Sequence, residues 1–174
     1  MQKPASNSIL NMKKYFCFLS ILVLLVSCTA DTTTFNNTAF QALKDNDFWR
    51  AEVYGVRKET NGVFIVEASL GYEQINFQLP ELSEKAFILG VNNDTKAIYK
   101  NTSEEEESEF ETGAGRGNGE ITITEYNKEE NTISGTFRFT AFNIATDAAK
   151  QEMHITEGVF YKIPLETRNE ISVN

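Results

Sequence analysis

The clearest chemistry in this sequence belongs to Cys28, because that thiol directly follows a short apolar segment. Residues 15–27 read YFCFLSILVLLVS, and Lys13 and Lys14 precede them. These thirteen residues would span ~20 Å as a helix, which is shorter than the ~30 Å hydrocarbon core of a bilayer. A basic start, a short apolar run and small residues at its end are typical of a secretory leader. The sequence therefore predicts a signal peptide over residues 1–27.

The last residues of this segment resemble the bacterial lipobox. Leu25, Val26 and Ser27 place an aliphatic residue and then smaller ones before Cys28. The resemblance implies cleavage before Cys28, diacylglycerol on its sulfur and a further acyl chain on the new amino group. Several acyl chains, at ~0.8 kcal/mol per buried methylene, anchor a protein stably, whereas one chain binds only marginally. The alternative is an ordinary signal peptide that ends in cysteine by chance.

Lipidation would leave the mature chain, residues 28–174, without a free thiol, because the other cysteine leaves with the signal peptide. Lys3, Lys13 and Lys14 also leave, so 13 of the 16 basic residues remain beside all 25 acidic ones and the net charge is −12. A surface this acidic repels phosphate backbones and anionic head groups. We therefore expect no nucleic-acid partner, and we expect membrane attachment through the lipid.

The elements that must carry any functional residues are strands. Residues 119–126, GEITITEY, alternate strictly between apolar and polar side chains, and Asn46 follows a short strand in a turn that suits positive φ. We count nine or ten strands spaced by roughly 8–12 residues, and no helix longer than two turns. This pattern predicts an all-β fold, an antiparallel β-sandwich with a lipocalin-like flattened barrel as the alternative.

The composition divides the mature chain into three parts. Residues 28–38 are small and polar and predict a lipidated tether. Residues 39–164 hold the strands and predict one β domain, whose length is sufficient for a single core. Residues 165–174 predict a polar tail.

Four aromatic residues lie at strand positions where they would face the interior: Trp49, Phe77, Phe137 and Phe139. Such residues either form the core or line a ligand cavity, as in lipid-carrying barrels. The first interpretation is the commoner one for aromatics at alternate strand positions, and the sequence leaves both open.

The other polar motifs lack the neighbouring residues that a metal site, an anion site or a catalytic site requires. Residues 104–107 are four consecutive glutamates, which predict a solvated hairpin tip because calcium loops need spaced ligands. The glycine-rich loop at 113–119 precedes a strand, so it has no helix N-terminus to hold an anion. His154, the single histidine, is predicted to be a surface residue. We therefore predict a protein that is not an enzyme, with no catalytic residues, metal or cofactor.

Several motifs resemble a family of uncharacterised lipoproteins from Bacteroidota. FQALKDNDFWRA at 40–51 is similar to that family's opening motif, although Asn46 stands where glycine is common. GEITIT at 119–124, ISGTFRFTA at 133–141 and ITEGVF at 155–160 are similar to its closing motifs. The resemblance implies a small all-β domain on a lipid anchor, and it supplies no catalytic residues.

These observations together predict a lipid-anchored protein of the bacterial envelope, on the outer membrane, with its periplasmic or surface face left open. Its domain would act as a non-catalytic binding or structural accessory module, with an envelope protein or a small ligand as its partner. The alternative is a lipocalin-like carrier of a small apolar ligand, which would need an aromatic-lined cavity of several hundred Å³.

Overall fold

A computed structural model describes residues 38–165, and these residues form eleven strands with no helix among them. The strands are β1 (Ala39–Lys44), β2 (Asp47–Arg50), β3 (Val53–Lys58), β4 (Phe64–Leu70), β5 (Glu73–Leu79), β6 (Ala86–Leu89), β7 (Lys96–Asn101), β8 (Ser108–Glu111), β9 (Asn118–Asn127), β10 (Thr132–Asn143) and β11 (Glu152–Pro164). The all-β prediction is confirmed. The predicted signal peptide, the lipobox residues with Cys28, and most of the tether and tail lie outside the described residues.

The strands form one curled antiparallel sheet, a half-barrel. Its order is β2-β1-β11-β10-β8-β7-β5-β4-β3, and β9 pairs with β10 while β6 pairs with β9. β10 lies at a branch of the sheet, because it pairs with β9 along most of one edge and with β8 only at Phe142 and Asn143. The curl brings the inner faces of strands that are distant in this order toward one another.

Alternation of apolar and polar side chains decides which face of each strand is buried. On β10, Phe137 and Phe139 are buried while Thr136 and Arg138 are exposed, as the period of two requires. The same alternation on the other long strands produces one continuous core. Its largest fully buried side chains are Trp49, Phe40, Phe77, Phe110, Phe160, Ile75, Leu79, Ile121, Ile123, Ile133, Ile155 and Ile163.

The number of strands exceeds the prediction because one predicted strand bends and changes its partner. The sequence suggested a single strand over residues 48–56, but the structure interrupts it at Ala51 and Glu52. The Ala51 N–H donates to the Phe40 carbonyl on β1 at 2.9 Å, whereas the next N–H, of Glu52, donates to the Ser69 carbonyl on β4 at 2.8 Å. The bend therefore lets one stretch of chain join both ends of the curled sheet.

Four connections meet at one end of the sheet, which we call the loop end. They are residues 45–46, 71–72, 102–107 and 144–151. Backbone hydrogen bonds join them: Thr102 N–H donates to the Tyr72 carbonyl at 3.0 Å, and Ile144 N–H donates to the Glu109 carbonyl at 2.9 Å. The 45–46 turn has positive φ at both central residues, so the prediction for Asn46 is confirmed.

We predict that Gly135→Ala destabilises the domain by about 1–3 kcal/mol, because overpacking a core forces neighbouring groups to move. A Cβ at Gly135 would lie 2.1 Å from the Thr122 carbonyl oxygen and 2.4 Å from the Phe160 ring. Urea unfolding measures the change. The control is Thr136→Ala, the exposed neighbour, which we expect to cost no more than about 0.5 kcal/mol. Equal losses in the two variants would contradict the packing argument.

Candidate functional site

The four aromatic residues singled out by sequence all lie in the core. Trp49, Phe77, Phe137 and Phe139 are buried. The ring centroids of Phe77 and Phe137 are 4.9 Å apart, and those of Phe77 and Phe139 are 6.3 Å apart. Trp49 meets the ring of Phe40 edge-on at 6.1 Å. Because rings at these separations contact one another directly, a ligand-facing role would require one of them to move.

A second group of side chains, which we call the Glu73 cluster, lies at the loop end. Its members are Lys44 at the end of β1, Trp49 on β2, Glu73 at the start of β5 and Tyr99 on β7. The Tyr99 hydroxyl donates to Glu73 Oε1 at 2.7 Å, and the Lys44 ammonium donates to the same oxygen. Lys44 Nζ also lies 5.5 Å from the centroid of the Tyr99 ring. One carboxylate therefore ties together three strands that are far apart in sequence.

The indole nitrogen of Trp49 is the remaining polar atom of the Glu73 cluster. It is buried and makes no hydrogen bond in the structure. It is nevertheless close enough to the Glu73 carboxylate to contribute to lowering the pKa of that group. The contact between the indole nitrogen and the Glu73 carboxylate is therefore weaker than a full hydrogen bond. A buried donor without a full partner costs free energy, so this is the least satisfied position in the cluster.

Comparison with known proteins places the chain in a family. Residues 36–164, most of the sequence, match the model of DUF6252, a domain of unknown function. The chain belongs to the DUF6252 family. Neither a curated protein nor a solved structure matches it. The prediction of an uncharacterised family is thereby confirmed, while the lipobox and the bacterial phylum stay predictions.

The surroundings of the Glu73 cluster in the DUF6252 domain favour an ionised Glu73 and a neutral Tyr99. Burial by itself would raise the pKa of Glu73, but the hydrogen bonds from Lys44 and Tyr99 and the Lys44 charge outweigh burial and lower it. Burial raises the pKa of Tyr99 well above its ordinary value, and its hydrogen bond to Glu73 raises it further. A strongly ionised carboxylate is a weak base and a neutral phenol holds its proton, so the cluster is suited to holding strands rather than to proton transfer.

A second ion pair joins two connections of the loop end. Asp45 Oδ1 accepts the backbone N–H of His154 at 2.9 Å, and the other oxygen binds the ammonium of Lys150. Burial raises the pKa of Asp45, but the Lys150 and His154 hydrogen bonds and the Lys150 charge outweigh burial and lower it. The first turn of the domain is thus fastened to the last long connection.

The histidine has polar neighbours that the sequence did not indicate. Its Nδ1 lies 3.1 Å from Thr140 Oγ1, and its Nε2 lies 3.5 Å from Glu152 Oε2. A hydroxyl, an imidazole and a carboxylate are the parts of a nucleophilic triad. About half of the side chains of both His154 and Glu152 is exposed to solvent, however, and water there competes for each bond. Thr140 and His154 therefore form a cross-strand pair on the outer face, with Glu152 beside them on β11.

The described domain contains neither a membrane-spanning helix nor a cluster of metal-binding side chains. Within residues 38–165, no helix has the length and apolar character needed to cross a bilayer. In that part of the chain, no three histidine, cysteine, aspartate or glutamate side chains converge as a metal site requires. The glutamates at 104–107 are exposed in the connection between β7 and β8, where the sequence predicted a hairpin tip.

Sequence reasoning missed the Glu73 cluster. Lys44 and Glu73 are ordinary charged residues next to turns, and nothing near them in the sequence marks them. They meet only because the sheet curls, and they are 29 residues apart. Only the three-dimensional structure identifies this site.

We predict that Glu73→Gln destabilises the domain by about 1–3 kcal/mol near neutral pH, because it weakens two hydrogen bonds to a charged acceptor. The folded pKa of Glu73 lies below its ordinary value of 4.5, so the stabilisation is present above that value and is lost as the pH falls through the folded pKa. The free energies of unfolding of the native chain and the variant should therefore differ most near neutral pH and become equal in acid. Glu52→Gln, an exposed control, should show no such convergence.

Proposed function

We propose that this DUF6252 chain is a lipid-anchored protein of the bacterial cell envelope, on the outer membrane. Its β domain acts as a non-catalytic binding or structural accessory module for a protein of that envelope. The proposal combines the lipobox pattern that ends at Cys28 with the packing of the described domain. The observation that carries it is the ring-to-ring contact inside the half-barrel, because that contact leaves the outer surface and the loop end for binding.

The aromatic packing favours a domain with a filled core, as in a β-sandwich, over a lipocalin-like carrier with a ligand cavity. Phe40, Phe77 and Phe137 come from three different strands, and their centroids are separated by 4.9–5.7 Å. A carrier keeps such rings apart around a cavity of several hundred Å³. The rings of this domain instead stabilise one another, as in an ordinary core.

The direction of β1 supports the loop end as the part of the domain that binds a partner. β1 begins at Ala39 and runs toward the 45–46 turn at the loop end. The chain therefore enters the domain at the opposite end of the sheet. The isolated bridge between Val56 and Leu165 places the last described residue away from the loop end as well. The first and last described residues therefore both lie away from the loop end, which supports a role for this end in binding a partner.

We predict that Cys28→Ala abolishes incorporation of tritiated palmitate and the accompanying membrane attachment, because the acyl chains have no other thiol to modify in the mature chain. Cys17→Ala is the matched control, since that residue lies inside the predicted signal peptide and should label normally. Mass spectrometry of the processed N-terminus provides a second readout. A labelled Cys28→Ala chain, or a first processed residue other than Cys28, would reject the anchor.

We further predict that the lipoprotein extracted from envelopes carries no bound apolar molecule in its interior. Native mass spectrometry should give the mass of the lipidated chain alone, because the core rings already occupy the space between the strands. A constant additional mass that disappears on unfolding would instead support the carrier. This readout is independent of whether the chain is anchored.

A further inference from the structure

A groove of about 280 Å³ lies at the loop end, outside the Glu73 cluster. One part of its lining is apolar and comes from the connection between β10 and β11: Ile144, Ala145 and Ala148. The rest is polar or charged. Asn143 comes from the end of β10, and β7, β8 and the connection between them contribute Lys100, Glu107, Ser108 and Glu109. The backbone hydrogen bond from Ile144 to Glu109 holds the two parts together. The groove is therefore amphipathic and built between fixed segments.

The charge beside the groove is negative and largely unpaired. Glu109 is neutralised by Lys100, with 3.4 Å between Nζ and Oε2. Glu107 belongs to the four consecutive glutamates at 104–107, and within residues 38–165 none of those four forms an ion pair. A complementary ligand therefore has to be positively charged.

Two exposed apolar side chains stand on either side of this acidic connection. Ile144 is 48% exposed on the groove side, and Tyr72 is 68% exposed on the other side. Tyr72 is held there because its carbonyl accepts both the N–H and the hydroxyl of Thr102, at 3.0 and 3.2 Å. An aliphatic stem packs well on the first side chain, and a cation binds well over the ring of the second.

We propose that this groove and its acidic connection bind a lysine- or arginine-rich segment of a partner protein. One basic side chain lies in the groove, where its methylenes contact Ile144 and its head group pairs with Glu107. A second basic side chain lies over Tyr72. The inference rests on the proposed function, because it names the partner class of the same binding module.

A metal cation fits this surface less well than a basic segment, for two reasons. A divalent cation needs several converging oxygens. No three carboxylates converge in this way in the described part of the chain. A bare cation would also make no use of Ile144 and Tyr72, whereas the long side chains of lysine and arginine combine a charge with an apolar stem.

The test is calorimetric titration of the full-length lipoprotein in detergent with a tetra-arginine peptide at low ionic strength, and with tetraglutamate as the charge-reversed probe. We expect saturable binding of tetra-arginine only. The double variant Glu106→Gln, Glu107→Gln should weaken it about tenfold, which corresponds to ~1.4 kcal/mol. Ile144→Ser and Tyr72→Ala should each weaken it as well. The matched control is Glu129→Gln, Glu130→Gln in the turn between β9 and β10, which should bind as the native chain does.

Four results would overturn the inference. The first is an equal loss of affinity in the control variant, which would mean that only the overall negative charge attracts the peptide. The second is undiminished binding in Ile144→Ser and Tyr72→Ala. The third is displacement of the peptide by calcium chloride at matched ionic strength, which would indicate a cation site. The fourth is an absence of tetra-arginine binding with normal palmitate labelling, which would reject this partner and leave the lipid anchor intact.

Discussion

The contact between aromatic rings on distant strands is the interaction on which the rest of this structure depends. Phe77 on β5 meets Phe137 on β10, and Phe40 on β1 contacts both rings. These strands are not neighbours in the sheet, so the contacts form only when the sheet curls. Burial of such large side chains supplies much of the free energy that holds the curl closed.

The curl has two consequences for the structure. It packs side chains from distant strands against one another in one core. It also gathers four connections at one end, where Glu73 and Asp45 accept hydrogen bonds from distant parts of the chain. These carboxylates hold the connections of the loop end together, so the binding that we propose for this surface would cost less conformational entropy.

Patterns with short range were predictable from sequence. Alternation along β9 and β10 indicated strands and their buried faces, because neighbouring side chains on a strand point to opposite sides. The positive φ of Asn46 followed from the turn residues around it. The bend at Ala51 and Glu52 was not predictable, because nothing in the local pattern reveals that the two halves of that strand pair with β1 and β4. The Glu73 cluster escaped prediction for the same reason.

The sequence by itself determined the all-β class and the inward-facing strand positions of the aromatic residues, and it predicted an acylated cysteine at position 28. These features depend on side-chain type and on spacing along a few residues. The tertiary structure alone decided which strands pair, which charges meet and where an amphipathic groove forms. Those properties depend on residues such as Lys44 and Glu73, or Glu107 and Ile144, that are brought together across the chain by the closing of one core.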